Sequence, residues 1–338
     1  MNRDGAVDGE NGFASADQLA GVVQAAFGAG RRITGLDRLP NGSKKGVYRL
    51  TLDDRETVVV YLWNESEDYW HGVLPEAAAD PANPFSHASG LDLFEAASRR
   101  LESLGVRSPR LLLADRSRAL YPADIAVVED IAAGTLEGLL DRDPAAAESA
   151  MARLADSLDA MHRCQAPTFG KVALVDGGGT SAGESCEQAV LDRALAETAE
   201  IAAGDPRAAA DQAALEDKVR ELAARVEPRS EIGLIHGELG PDHVLVDRHG
   251  EPVLIDIEGL MYFDVEWEHV FLRLRFGDHY QRLHRTGLDE HRLRFYQLAM
   301  HLDLVAGPRR IAQSGHPDRA WFLDIADYHL QRAVEFAV

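Results

Sequence analysis

Cysteine is almost missing from this chain. Cys164 and Cys186 are the only two in 338 residues, too few for a disulfide framework, and a cytosolic (cytoplasmic) location is the simplest expectation. No apolar run approaches the ~18 residues that a membrane-spanning helix needs. The stretch 1–12 is polar and glycine-rich, unlike a secretory signal peptide. Basic side chains are also scarce: 35 Lys and Arg face 56 Asp and Glu, a formal net charge of −21. Such a chain repels nucleic acid and anionic membranes as a whole, so neither is an expected partner. The acidity favours a cationic ligand only loosely, because it also serves solubility. There is no Gly-x-x-x-x-Gly-Lys-Ser/Thr loop, which argues against a P-loop nucleotide site.

What is present is ordinary globular material, 46% hydrophobic and 27% charged, long enough for two lobes with their own cores. Residues 1–14 read as disordered. Ser15 is a good N-cap for a helix running to about Phe27 and ended by Gly28. Val47–Leu52 and Thr57–Trp63 read as a hairpin turned by Asp53-Asp54. Residues 64–90, with Tyr69, Trp70 and three prolines, form a long irregular insert of the kind that is functional or disordered. Phe94, Ala97, Leu101 and Leu104 mark one face of a helix, and 109–114 and 124–129 read as strands. Beyond 131 the periodicity is mostly helical: Met151, Leu154, Leu158 and Met161 share a face, as do Leu215, Val219, Leu222 and Val226. The pattern is an α+β chain, a small β-rich lobe (15–130) followed by a larger, mostly helical lobe (131–338).

Chemistry concentrates at His236-Gly237-Glu238-Leu239-Gly240-Pro241-Asp242-His243, followed by Ile255-Asp256-Ile257-Glu258. Two acidic centres, Glu238 and Asp256, flank a polar loop and a short apolar strand. That layout suits phosphoryl transfer, with one carboxylate beside an attacking hydroxyl and the other holding the metal of a nucleotide. A transition-metal cluster of His236, Glu238, His243 and Asp256, as in a metal-dependent hydrolase, is a weaker alternative, since its spacing matches no zinc signature.

These motifs resemble the aminoglycoside phosphotransferase-like kinases, which share the bilobal protein-kinase-like fold. The resemblance covers roughly 36–275. In that family the loop reads His-Gly-Asp-x-x-x-x-Asn, so Glu238 stands for the catalytic Asp and His243 for the metal-binding Asn. The resemblance implies that Glu238 takes the proton of an acceptor hydroxyl and that Asp256 binds Mg²⁺ bridging the phosphates. Asp242, His243 and Glu258 complete the candidate metal ligands. His236 is expected to hold the loop by hydrogen bonds, and Asp264 and Glu268 resemble the acidic pair after the metal loop. The family's second hairpin strand carries a phosphate-binding lysine paired with a helix glutamate. Glu95 is the candidate glutamate, but the strand has no lysine and Tyr61 lies near its place. Lys44 or Lys45, in the preceding loop, is expected to reach the phosphates instead. The hinge that would bond adenine falls near 128–131, including Glu129 and Ile131. ATP or GTP with Mg²⁺ is the implied cofactor. The acceptor would be a hydroxyl on a small molecule or peptide. The alternative is a pseudokinase that binds a nucleotide or a protein partner without turnover.

Overall fold

A computed structural model describes residues 13–40 and 42–337. Residues 1–12 of the expected disordered terminus lie outside that range. Residues 13 and 14 do not: Ala14 is buried and donates its N–H to the Tyr48 hydroxyl at 3.1 Å.

Helix α1 (Ala16–Phe27) starts at Ser15 with a full capping box. The Ser15 hydroxyl accepts from the Gln18 N–H, and the Gln18 side chain accepts from the Ser15 N–H. Strands β1 (Ile33–Arg38), β2 (Gly46–Leu52), β3 (Thr57–Trp63), β4 (Leu111–Asp115) and β5 (Asp124–Glu129) form one antiparallel sheet in the order β1-β2-β3-β5-β4. β1 is absent from the sequence reading. It is a half-buried edge strand interrupted by Gly35 and an irregular register, so its alternation is weak.

β3 lies in the middle of the sheet and is buried on both faces, hence its unbroken apolar run. Val58, Val60 and Leu62 pack toward Leu19, Val22 and Val23 of α1. Val59 and Tyr61 point the other way, into a core shared with Phe94, Ala97 and Leu101 of helix α2 (Leu91–Ser103). That core continues into Met151, Leu154 and Leu158, which joins the sheet to the helical lobe.

The second lobe contains α3 (Leu136–Arg142), α4 (Pro144–Arg163), β6 (Gly170–Lys171), α5 (Val172–Asp176), α6 (Cys186–Gly204), α7 (Pro206–Ala223), β7 (Gly233–Ile235), β8 (Val244–Val246), β9 (Pro252–Leu254), β10 (Met261–Phe263), α8 (Val265–Phe276), α9 (Glu290–Ile311) and α10 (Arg319–Ala337). Val226 falls beyond the end of α7, while Leu215, Val219 and Leu222 are buried as the periodicity requires. Two small sheets, β6-β10-β7 and the β8–β9 hairpin, hold the acidic motifs between them. No helix among the described residues is long and apolar enough to cross a membrane.

The insert at 64–90 is ordered around two short 3₁₀ turns, Glu65–Glu67 and Glu76–Ala79. It is tied to both lobes. Tyr69 N–H donates to the Ser43 carbonyl at 2.9 Å and the Trp70 indole N–H to the Ser43 hydroxyl at 3.2 Å. On the other side Phe85 packs 5.4 Å from the Phe263 ring and 5.2 Å from Trp267, and Tyr69 packs 4.5 Å from His316. The buried Lys171 ammonium donates to the Ser86 carbonyl and hydroxyl at 2.6 and 2.5 Å.

Burial pushes the Lys171 ammonium down to about 7; nearby Lys44 adds to the shift and Glu238 opposes it. A lysine with a depressed folded-state value binds fewer protons folded than unfolded. Stability therefore rises with pH between about 7 and the unfolded value of ~10.4. Lys171→Met should flatten that rise, which urea unfolding of both proteins at about pH 7 and about pH 9.5 will measure as a change in the difference between them.

Candidate active site

The acidic motifs are shaped by their backbone. Gly237 sits at φ 88°, where a Cβ would be strained, and carries the chain from β7 into the loop. Asp256 adopts the left-handed region at φ 57°, which Asp tolerates better than most residues, immediately before a 3₁₀ turn at Ile257–Gly259. This turn buries Glu258 beside Asp256.

The loop at 236–243 is held from below. Glu268, on α8, accepts the N–H of His236 at 2.8 Å and of Gly237 at 3.1 Å. Burial alone would raise the Glu268 carboxyl, but His162 and the loop donors outweigh it and hold it below the usual range. His236 Nε2–H donates to the Ile255 carbonyl at 2.9 Å, tying the two motifs together. Burial lowers the His236 imidazole, so it stays neutral. These contacts fit the expected structural role of His236. His243 Nδ1 lies 2.7 Å from the Glu238 carbonyl. A carbonyl only accepts, so Nδ1 carries a proton in this contact.

Both loop lysines reach across to these acids. Lys45 Nζ lies 2.8 Å from Asp256 Oδ1 and 2.6 Å from Glu258 Oε1, and its ammonium sits over the Tyr61 ring at 5.2 Å. Neither Glu258 oxygen has an aligned hydrogen-bond donor, so that contact is an ion pair only. Burial works against the Lys45 charge, but the two carboxylates raise it well above the ordinary lysine range. Burial likewise opposes ionisation of Asp256, and Lys45 and Lys44 override it, holding that carboxyl well below the usual range. Lys44 Nζ lies 3.0 Å from Glu238 Oε2 and lowers that carboxyl. The Lys44 carbonyl accepts from the Ser89 hydroxyl at 2.8 Å, so the insert fixes the loop that carries both lysines.

Other expected placements differ. Glu95 does not meet either lysine; it pairs with Arg116, and Arg99 lies 3.8 Å away. Asp242 is drawn onto Arg275 at 2.8 Å. The Glu129 carboxylate pairs with Arg107 at 3.0 Å, and its backbone N–H donates to the Arg110 carbonyl at 3.0 Å. Ile131 lies just beyond that strand, after Asp130, which is held bidentately by Arg49 at 2.7 and 3.0 Å. Among the described residues no group of three or more His, Cys, Asp or Glu is gathered as a metal site. The four expected ligands are therefore not assembled together: Lys45 lies between Asp256 and Glu258, and Arg275 holds Asp242. The same observation removes the support for a His/Glu/Asp transition-metal cluster.

The sequence reading did not foresee that Glu268 clamps backbone donors or that Arg275 claims Asp242. No local pattern signals either contact, since each joins residues about 30 positions apart.

A family model, the phosphotransferase enzyme family, matches residues 36–313. The chain belongs to this family. No curated protein matches it significantly. Among solved structures it is similar to a thermostable mutant of aminoglycoside phosphotransferase APH(4)-Ia in its apo form. The two are 17% identical with a TM-score of 0.60, and the match covers 94% of this chain and 99% of that one. Spectinomycin phosphotransferase APH(9)-Ia in complex with ADP and spectinomycin gives a TM-score of 0.64 at 14% identity, covering 96% and 98%. LicA in complex with AMP gives 0.61 at 11% identity, covering 96% and 100%. At these identities the likeness establishes the bilobal, protein-kinase-like fold.

Glu268→Ala would strip the buried N–H groups of His236 and Gly237 of their acceptor. It should cost about 3 kcal/mol of stability, from the penalty of unsatisfied buried donors. Urea unfolding against wild type measures the loss, and a change below about 1 kcal/mol would show that the clamp is dispensable.

Proposed function

We propose that this protein transfers the γ-phosphoryl group of a nucleoside triphosphate, ATP or GTP, to an alcohol on a small molecule or peptide. The observation that carries this reading is the convergence on one cleft of Lys45 with Asp256 and Glu258, and of Lys44 with Glu238. A phosphoryl-transfer site needs little covalent help from the protein. It needs fixed charge around the phosphates and a carboxylate near the attacking hydroxyl.

Asp256 and Glu258 fit a hard cation. The Asp256 carboxyl is held well below the usual range by the lysines, and Glu258 lies 2.6 Å from the Lys45 ammonium, buried, with no aligned hydrogen-bond donor on either oxygen. Mg²⁺ is commonly held by one or two carboxylates, with phosphate and water oxygens completing its shell, so a third protein ligand is not required. When bound, such an ion supplies charge neutralisation at the phosphates. Lys45 contributes a fixed positive charge at the same place. Glu238, with its side chain 57% exposed, can face an acceptor and receive its proton. Some of the similar solved structures hold ADP, AMP-PNP or AMP, which supports a nucleotide at this site.

Calorimetric titration tests the reading. Wild type should bind ATP only with Mg²⁺, and Asp256→Ala should weaken that binding at least about tenfold, or ~1.4 kcal/mol. An absence of binding at millimolar nucleotide would sink the phosphotransferase reading and leave the partner-binding alternative. Nucleotide binding without turnover on any acceptor would favour the pseudokinase.

A further inference from the structure

We propose that Lys45 is the resident counter-cation of the metal site. In the nucleotide-free protein its ammonium occupies the space between Asp256 and Glu258, and a divalent ion enters only as nucleotide phosphate draws that ammonium away. The inference rests on the reading that these two carboxylates face the nucleotide's metal.

The geometry carries it. Lys45 Nζ is 2.8 Å from one carboxylate and 2.6 Å from the other, with its side chain 7% exposed. The Tyr61 ring lies beneath the ammonium, 5.2 Å away. A free divalent cation arriving at this pair would meet an ammonium already seated against both carboxylates. Repulsion between the ammonium and the dication in a partly desolvated cleft then disfavours metal alone. A nucleotide changes that balance. Its phosphate oxygens offer the ammonium a new anion, and both carboxylates become available to the metal that arrives with them. The exchange is favoured by how Glu258 is bound. It holds Lys45 through charge alone, without an aligned hydrogen bond, so the only directional contact the exchange breaks at this pair is the 2.8 Å hydrogen bond to Asp256. No covalent step is involved.

The prediction is that removing the lysine creates a free-standing metal site. Mn²⁺, a paramagnetic stand-in for Mg²⁺, is titrated without nucleotide and its free concentration read by electron paramagnetic resonance. Lys45→Met should bind Mn²⁺ at least about tenfold more tightly than wild type. The double variant Lys45→Met/Asp256→Ala should lose the gain. Lys44→Met, which frees Glu238 instead, should change Mn²⁺ affinity by less than about threefold. Lys45→Gln serves if the methionine variant does not fold. Equal Mn²⁺ affinity in wild type and the Lys45 variant would overturn the proposal, as would a gain that survives loss of Asp256 or one matched by Lys44→Met. The outcomes separate it from the function itself. A Mn²⁺ gain in a protein that never binds Mg·ATP would remove the phosphotransferase reading, and with it the nucleotide's part in the exchange, while leaving Lys45 as the counter-cation; Mg·ATP binding without the gain would remove this inference alone.

Discussion

The ion pair between Lys45 and the Asp256/Glu258 carboxylates is the constraint on which the cleft depends. A buried ammonium without partners would be strongly penalised, and so would two adjacent carboxylates without a cation. Neither lobe can satisfy its own charges. The loop before β2 supplies the cation and the turn after β9 supplies the acids, so the two lobes are electrostatically incomplete without each other. The insert at 64–90 makes this meeting reproducible. Its Tyr69, Trp70 and Ser89 hold the carbonyls of Ser43 and Lys44 and the Ser43 hydroxyl, while Phe85 and Ser86 are seated on the helical lobe. The lysine loop is thus positioned from the lobe that carries the acids.

A second set of contacts keeps the acids themselves in place. Glu268 gathers the N–H groups of His236 and Gly237, and His236 in turn holds Ile255, the residue before Asp256. The two acidic motifs are therefore linked by a short hydrogen-bonded chain rather than by packing alone. His243 caps the same loop by donating to the Glu238 carbonyl. Glu238 is left as the exposed member, with its carboxylate anchored by Lys44 from the opposite lobe.

Much of this was legible in the sequence, for identifiable reasons. The α1 cap, the β2–β3 hairpin and the α4 core face each follow from local signals: a capping pair, an acidic turn between two strand-forming runs, and a helical repeat of apolar residues. The family resemblance was carried by a compact motif, and the matched family and fold agree with it. What escaped was either locally weak or long-range. β1 has glycine and charge where a strand would show alternation. Asp242 and Asp256 are both acids beside the same loop, and only the fold reveals that one meets Arg275 and the other Lys45. Lys44 and Lys45 are adjacent and chemically identical, and the sequence has no means of assigning one to Glu238 and the other to Asp256.

The departures from the family pattern also make physical sense together. A lysine on β3 at the place of Tyr61 would need an acidic partner from α2. Instead Tyr61 packs edge-on against Phe94 of that helix, with centroids 5.5 Å apart, and lies 6.1 Å from Trp63. An aromatic cluster thus fills the space where a strand lysine and helix glutamate would have met. With no lysine there, a carboxylate turned inward from α2 would be a buried, unpaired charge, and Glu95 is turned outward to Arg116. The positive charge returns from another direction, because Lys45 lays its ammonium over the Tyr61 ring and onto the acids. Tyr61, Glu95 and Lys45 thus each have a partner of suitable chemistry, in Phe94, Arg116 and the Asp256/Glu258 pair.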